Sequence, residues 1–282
     1  TDYYTDEAIK VIEKNKNRPF FLYLSHFAPH NPLQALRDDY DHFHHIEGES
    51  SEELKVYSAM LKALDRSVGR ILDTLEKNNL TDNTLIVLTS DNGGANYIHL
   101  SDINKPYRGW KLTHFEGGLH VPFMAKWPNK IGPGIEFNAP IHANDILPTF
   151  AAAAGAELPD DRIIDGVNLL PFLQNHNSDM PHETLYWLQG RLQTVLHKNW
   201  KLITDHRTGK DWLFNVESDP YERINLASEM TLKVEELKRL LNDHKKVQPP
   251  PLYDNTMSAP ILIDKHNGYA FQDGDEFTYW DN

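Results

Sequence analysis

The 282 residues contain no cysteine. Disulfides, zinc–cysteine sites, iron–sulfur clusters and cysteine nucleophiles are therefore excluded within them. No stretch approaches the roughly 18 consecutive apolar residues of a membrane span, so none is expected. Positive charge is also scarce, with 28 Lys and Arg against 41 Asp and Glu and a formal net charge of −13. A duplex-binding protein needs the opposite sign to displace counterions from phosphates, so nucleic acid is not an expected partner. The sequence opens on Thr1 with neither a methionine nor a signal-like apolar segment, as a processed or partial chain would.

What is present reads as alternating elements. Residues 1–15 suggest a helix with Ala8, Ile9 and Ile12 on one face. The strongest helical pattern is 51–78, where Leu54, Leu61, Leu64, Val68, Ile71, Leu72 and Leu75 recur at helical spacing, and Ser50 with Glu53 fits a capping box. Residues 20–24 and 84–89 are continuous apolar runs, the pattern of strands covered on both faces, and 121–125 reads as a third strand. This rhythm predicts an α/β fold with a mostly parallel sheet sandwiched by helices. Only these three runs serve its core, few for a doubly covered sheet. Residues 145–154 predict a helix stopped by Gly155. Short strand-like pieces at 184–188, 192–197, 201–204 and 212–214 predict a smaller antiparallel sheet, followed by an amphipathic helix over 231–246. The expected organisation is a main α/β domain over 1–180, an α+β subdomain over 181–247, and an extended surface tail over 248–282.

In α/β sheets, polar residues just past the carboxyl end of a strand are the default site positions. Asp91-Asn92, ahead of Gly93-Gly94, offers adjacent oxygen donors suited to a hard cation such as calcium, and reads equally as a plain turn. His26 and His30 flank Phe27-Ala28-Pro29, with Pro32 beyond. A histidine held there could donate to an anionic ester or protonate a leaving group, or simply bond a carbonyl. Lys111, with Arg108 as its competitor, could neutralise an oxyanion, although a solvated lysine is the commoner case. His42, His44 and His45 sit among acidic residues and read as a solvated loop rather than a metal site. His99 and Asp102 could touch substrate if their loop rims a pocket.

Several segments together resemble the type I, formylglycine-dependent sulfatases. They are the run from Pro19 through His26, His30 and Gln34, and the run from Leu85 to Gly94. The others are Arg108-Gly109-Trp110-Lys111 with Glu116-Gly117-Gly118 and Val121-Pro122-Phe123, and Trp212 to Glu222 with Asn225-Leu226-Ala227. The resemblance implies an alkaline-phosphatase-like fold and a sulfuric ester hydrolase. It implies Asp91 and Asn92 as ligands of Ca2+, Lys111 on a sulfate oxygen, and His30 near the ester oxygen as an aid to leaving-group departure. His120 stands where many members carry arginine. The closing segment 275–280 resembles tails of carbohydrate-acting members, which makes a sulfated saccharide the expected substrate and a periplasmic or secreted location the expected one.

One feature departs from that pattern. The family makes its formylglycine from Cys or Ser in a Cys/Ser-x-Pro-x-Arg motif, and neither version occurs here. The expectation is that the nucleophile and other ligands lie in a missing N-terminal segment. These residues alone would then be inactive, and the same absence would account for the sparse sheet. The alternatives are a non-catalytic homologue that binds sulfated glycans, or a related phosphate or phosphonate ester hydrolase.

Overall fold

The computed structural model describes residues 1–175 and 179–281, which form two compact units. The first comprises residues 1–87, 98–100 and 125–133. Its main elements are α1 (Asp2–Asn15), the short α2 (Arg37–Tyr40) and the long α3 (Ser51–Lys77). Ala8 and Ile12 of α1 are buried, and the Thr5 hydroxyl donates to Ser67 Oγ of α3 at 2.6 Å. Arg66 of α3 bridges Asp2 at 3.0 Å and the buried Asp39 at 2.6 Å. The capping box expected at Ser50 does not form. That residue sits at φ 55°, in the left-handed region, whereas a capping serine needs extended backbone to aim its hydroxyl at the first amides.

Residues 20–24 form no strand, and Phe21 and Tyr23 are 74% and 80% exposed. A both-face strand is covered by other elements on either side, and side chains this exposed are not. The other two expected strands are present as β1 (Ile86–Thr89) and β2 (Phe123–Lys126), paired in a two-stranded sheet.

The second unit comprises residues 88–97, 101–124 and the chain from 134 onward. It contains the one-turn α4 (Glu116–Leu119), α5 (Ile146–Ala154) and α6 (Leu170–Leu173). As expected, Gly155 ends α5 at φ 67°, and Ala156 N–H closes back on the Ala151 carbonyl at 2.8 Å. Strands β3 (Thr184–Gln189), β4 (Leu192–His197), β5 (Trp200–Asp205) and β6 (Lys210–Asn215) form an antiparallel sheet in chain order. The helix α7 (Thr231–Val247) covers one face, packing Val234, Leu237 and Leu241 on Val195, Leu202 and Leu213. Because side chains alternate along a strand, the opposite face presents Ile203, Trp212 and Phe214 to Phe115 and Ile263. Residues 258–281, read from sequence as an extended tail, fold back as an antiparallel hairpin of β7 (Ser258–Leu262) and β8 (Phe277–Asp281). Ile261, Leu262, Ile263 and Thr278 of this hairpin are buried.

Candidate functional site

In the second unit, three loops converge on one another. Asp91 and Asn92 come one residue after the end of β1, beyond Ser90, and the next residue, Gly93, donates its N–H to the Gly118 carbonyl at 3.0 Å. Lys111 donates its N–H to the Gly94 carbonyl at 3.0 Å, and Gly117 donates to the Arg108 carbonyl at 2.7 Å. The Asp91-Asn92 loop, the Lys111 loop and α4 are thus tied by backbone bonds. The glycines explain why the approach is so close. A Cβ on Gly93 would fall on the Gly117 carbonyl, and one on Gly117 would fall on the Arg108 and Gly109 carbonyls.

Asn104 completes the tie. Its Oδ1 accepts the Gly94 N–H at 2.7 Å, while its Nδ2 donates to the carbonyls of Gly94 at 2.9 Å and Gly109 at 3.0 Å. Sequence reasoning missed Asn104, because an asparagine in a polar loop carries no distinguishing signal.

Asp91 is exposed and Asn92 half-buried. Asn92 Nδ2 donates to the Gly93 carbonyl at 3.0 Å, which leaves its Oδ1 as an oxygen donor beside the Asp91 carboxylate. Calcium takes six to eight oxygens, and a carboxylate next to an amide oxygen fits part of such a shell. No group of three or more His, Cys, Asp or Glu suited to a metal occurs among the described residues.

Arg108, the competitor of Lys111, is committed elsewhere. Its guanidinium donates to Asp264 at 2.7 and 2.6 Å and to Glu276, both from the tail hairpin. These carboxylates raise its pKa against the opposing effect of burial. Glu276 also accepts from Lys210 and from Trp212 Nε1 at 3.3 Å, and the two cations hold its pKa down at about 2 despite burial. Asp102 is exposed and ion-paired with Lys105 at 2.5 Å. His120 is half-exposed, 2.9 Å from Glu116 Oε2, and stacks on Tyr107 with centroids 4.4 Å apart.

The first unit holds the histidine segment. His26 turns inward, its Nε2 2.9 Å from Ser67 Oγ, and burial lowers its pKa. His30 is exposed, with Nδ1 2.8 Å from the Asn31 carbonyl and its ring 5.2 Å from that of Phe27. Of the two, His30 is the more exposed. His42 and His44 bond the backbone carbonyls of Asp38 and Asp41, both at 2.7 Å. His99 is exposed and sits at φ 59°.

Against the first residue of α4 lies a group that the sequence reading did not single out. Lys201 of β5 is 1% exposed and reaches Glu116 Oε1 at 2.6 Å and Glu222 Oε1 at 2.9 Å. Its position two residues before the inward-facing Ile203 was the available signal. A lysine at such a position in a sheet covered on both faces must find carboxylates.

Comparison with known proteins agrees with these segments. The family profile described as Sulfatase matches residues 1–156, and that described as N-sulphoglucosamine sulphohydrolase, C-terminal, matches residues 109–247. A steryl-sulfatase of Rattus norvegicus is 34% identical over 227 residues, covering 78% of this chain and 37% of that protein. A crystal structure of Ps i-CgsB in complex with k-i-k-neocarrahexaose superposes with a TM-score of 0.79 at 33% identity, covering 89% of this chain and 56% of that one. A structure of BT4656 in complex with its substrate D-glucosamine-2-N,6-O-disulfate superposes with a TM-score of 0.55 at 26% identity, covering 72% of this chain and 43% of that one. The chain therefore spans between about a third and a little over half of the length of these relatives.

Proposed function

The chain belongs to the sulfatase family, with the alkaline-phosphatase-like α/β fold of that group, and we propose that it forms the sulfate-holding part of a sulfuric ester hydrolase. The proposed substrate is a sulfated saccharide, in keeping with the sugar complexes of two of its structural relatives. The observation that carries the reading is the backbone stitching of the Asp91-Asn92 loop to the Lys111 loop, which fixes oxygen donors and a lysine on one framework.

Asp91 and Asn92 are proposed to hold Ca2+, which when bound would offset the negative charge of sulfuryl oxygens. Lys111 is proposed to donate to one of those oxygens as charge develops there. His30 is proposed to pass a proton to the departing alcohol oxygen. His99 and Asp102 are proposed as contacts to the saccharide, with the Asp102–Lys105 pair opening for that purpose. The nucleophile, a formylglycine in this reading, is proposed to come from sequence outside these residues, since neither form of its motif occurs in them. A periplasmic or secreted location goes with a polymeric sulfated substrate. Among the described residues, no helix is long and apolar enough to cross a membrane.

The test is release of inorganic sulfate from sulfated oligosaccharides by the enzyme that includes the nucleophile segment. Asp91→Ala and Lys111→Ala should each lower kcat by about 100-fold or more, the scale of losing one aimed charge-stabilising group. Chelation should abolish turnover and added Ca2+ should restore it. Near-parental rates in either variant would remove the role assigned to that residue.

A further inference from the structure

We propose that Lys201, a buried lysine of the C-terminal sheet, is a positioning residue for the sulfate-holding loops, acting through Glu116 and Glu222. The inference rests on the reading of Asp91, Asn92 and Lys111 given above and adds a residue linked to their loops through α4.

Glu116 is gripped at both ends. Its carboxylate takes the Lys201 ammonium at 2.6 Å, and its backbone N–H donates to Glu222 Oε2 at 2.7 Å. Lys201 holds the other Glu222 oxygen at 2.9 Å, so the lysine closes a ring around the first residue of α4. Both Lys201 and Glu222 are essentially sealed from solvent, at 1% and 0% exposure. Glu222 also sits at φ 56°, a left-handed conformation that a non-glycine residue keeps only when its surroundings hold it there.

From α4, two short paths lead to the site. Gly118 accepts the N–H of Gly93, next to Asn92, and Gly117 donates to Arg108, three residues before Lys111. Glycine-tight packing at Gly93 and Gly117 leaves no slack between these backbones, so a displacement of α4 is passed on rather than absorbed. Functional groups need placement to within about half an ångström, and a misplacement of about 1 Å from a distant change can cost on the order of 100-fold in rate. A buried cation between two carboxylates is a poor source of net stability against an apolar core, which leaves geometric definition as its contribution.

The experiment is amide hydrogen exchange on the intact chain, reading Gly93, Lys111 and Gly117 against amides of β3–β6. In Lys201→Met, exchange at the three loop amides should quicken at least tenfold while sheet amides stay within about twofold, and Lys201→Arg should restore protection. Unchanged loop amides in a folded Lys201→Met overturn the proposal. Equal acceleration in the sheet does so too, since the lysine would then serve the core as a whole. If Lys201→Met does not fold, Glu116→Gln is read at the same amides, and unchanged exchange there overturns it. Sulfate release is assayed in parallel on the enzyme with its nucleophile segment, where Lys201→Met should lower kcat about 100-fold and Lys201→Arg should recover most of it. A wild-type enzyme without sulfatase activity would defeat the functional reading, while the exchange data still decide the mechanical link.

Discussion

His114 is sealed in the second unit with its Nδ1 3.0 Å from the Thr194 hydroxyl. Burial, with a smaller contribution from the Lys201 charge, lowers its pKa to about 3. The folded protein therefore keeps this imidazole neutral, while the unfolded chain binds a proton near pH 6.5. The stability tied to the neutral ring is fully present above pH 6.5 and is lost as pH falls toward 3, at up to about 1.4 kcal/mol per pH unit. Urea unfolding of His114→Gln should show a shallower loss than wild type between pH 6.5 and 5. Glu116 and Glu276, both held down at about 2 against burial by neighbouring cations, lose their contributions only below about pH 4.5, so they do not blur that window. At this scale Asp91, Asn92, Lys111 and His30 were legible as candidates, because chemistry-bearing residues beside glycine and proline turns stand out in a sequence. Lys201 and Asn104 were not, since their roles come from partners 85 and 10 residues away.

Elements were legible where local pattern decides them. The helix expected at 51–78 is α3 within a residue, and that expected at 231–246 is α7 with one residue more. The four short strands of the second unit fall at the expected places, with ends shifted by two residues at most. The run at 20–24 has a strand's composition but forms none, since composition does not decide the ladder that makes a strand. The tail was unreadable for a related reason. Its hairpin is fixed by distant contacts, such as the Thr278 hydroxyl and the Tyr279 N–H, which donate to the buried Asp205 carboxylate at 3.5 and 3.2 Å. Two glycines give a paired prediction. Gly69 lies mid-way along α3, exposed, with open space where a Cβ would be. Gly69→Ala should raise stability by about 0.5–1 kcal/mol, seen as a higher urea midpoint at an unchanged slope. Gly93→Ala should do the reverse. Its Cβ would meet the Gly117 carbonyl, so the Gly93–Gly118 bond should break and its amide protection should vanish.

At the scale of the whole molecule, the balance of charge and the inventory of nucleophiles set the terms. A net charge of −13 over these residues works against a polyanion at long range, so in the proposed reading the capture of a sulfated saccharide rests on local cations, Lys111 and bound Ca2+. Those groups stabilise negative charge but do not attack sulfur. The family's attacking group derives from Cys or Ser in Cys/Ser-x-Pro-x-Arg, and these residues contain no cysteine and no Ser-x-Pro-x-Arg. The nearest serine, Ser218, is followed by Asp219-Pro220-Tyr221-Glu222-Arg223, one residue too long, and its hydroxyl is 3.4 Å from the Asn215 carbonyl in a turn after β6. The expected outcome is that the 282-residue chain, incubated alone with sulfated oligosaccharides and millimolar calcium, releases no sulfate above background. Turnover should begin only when a polypeptide carrying the motif, with its residue converted to formylglycine, is supplied. Because the comparison is between the same chain with and without that polypeptide, loss of folding in one arm is checked by circular dichroism of the chain itself. Sulfate release by the chain alone would mean that a nucleophile of a different kind operates within these residues, and the exposed His30 would then be the first side chain to replace.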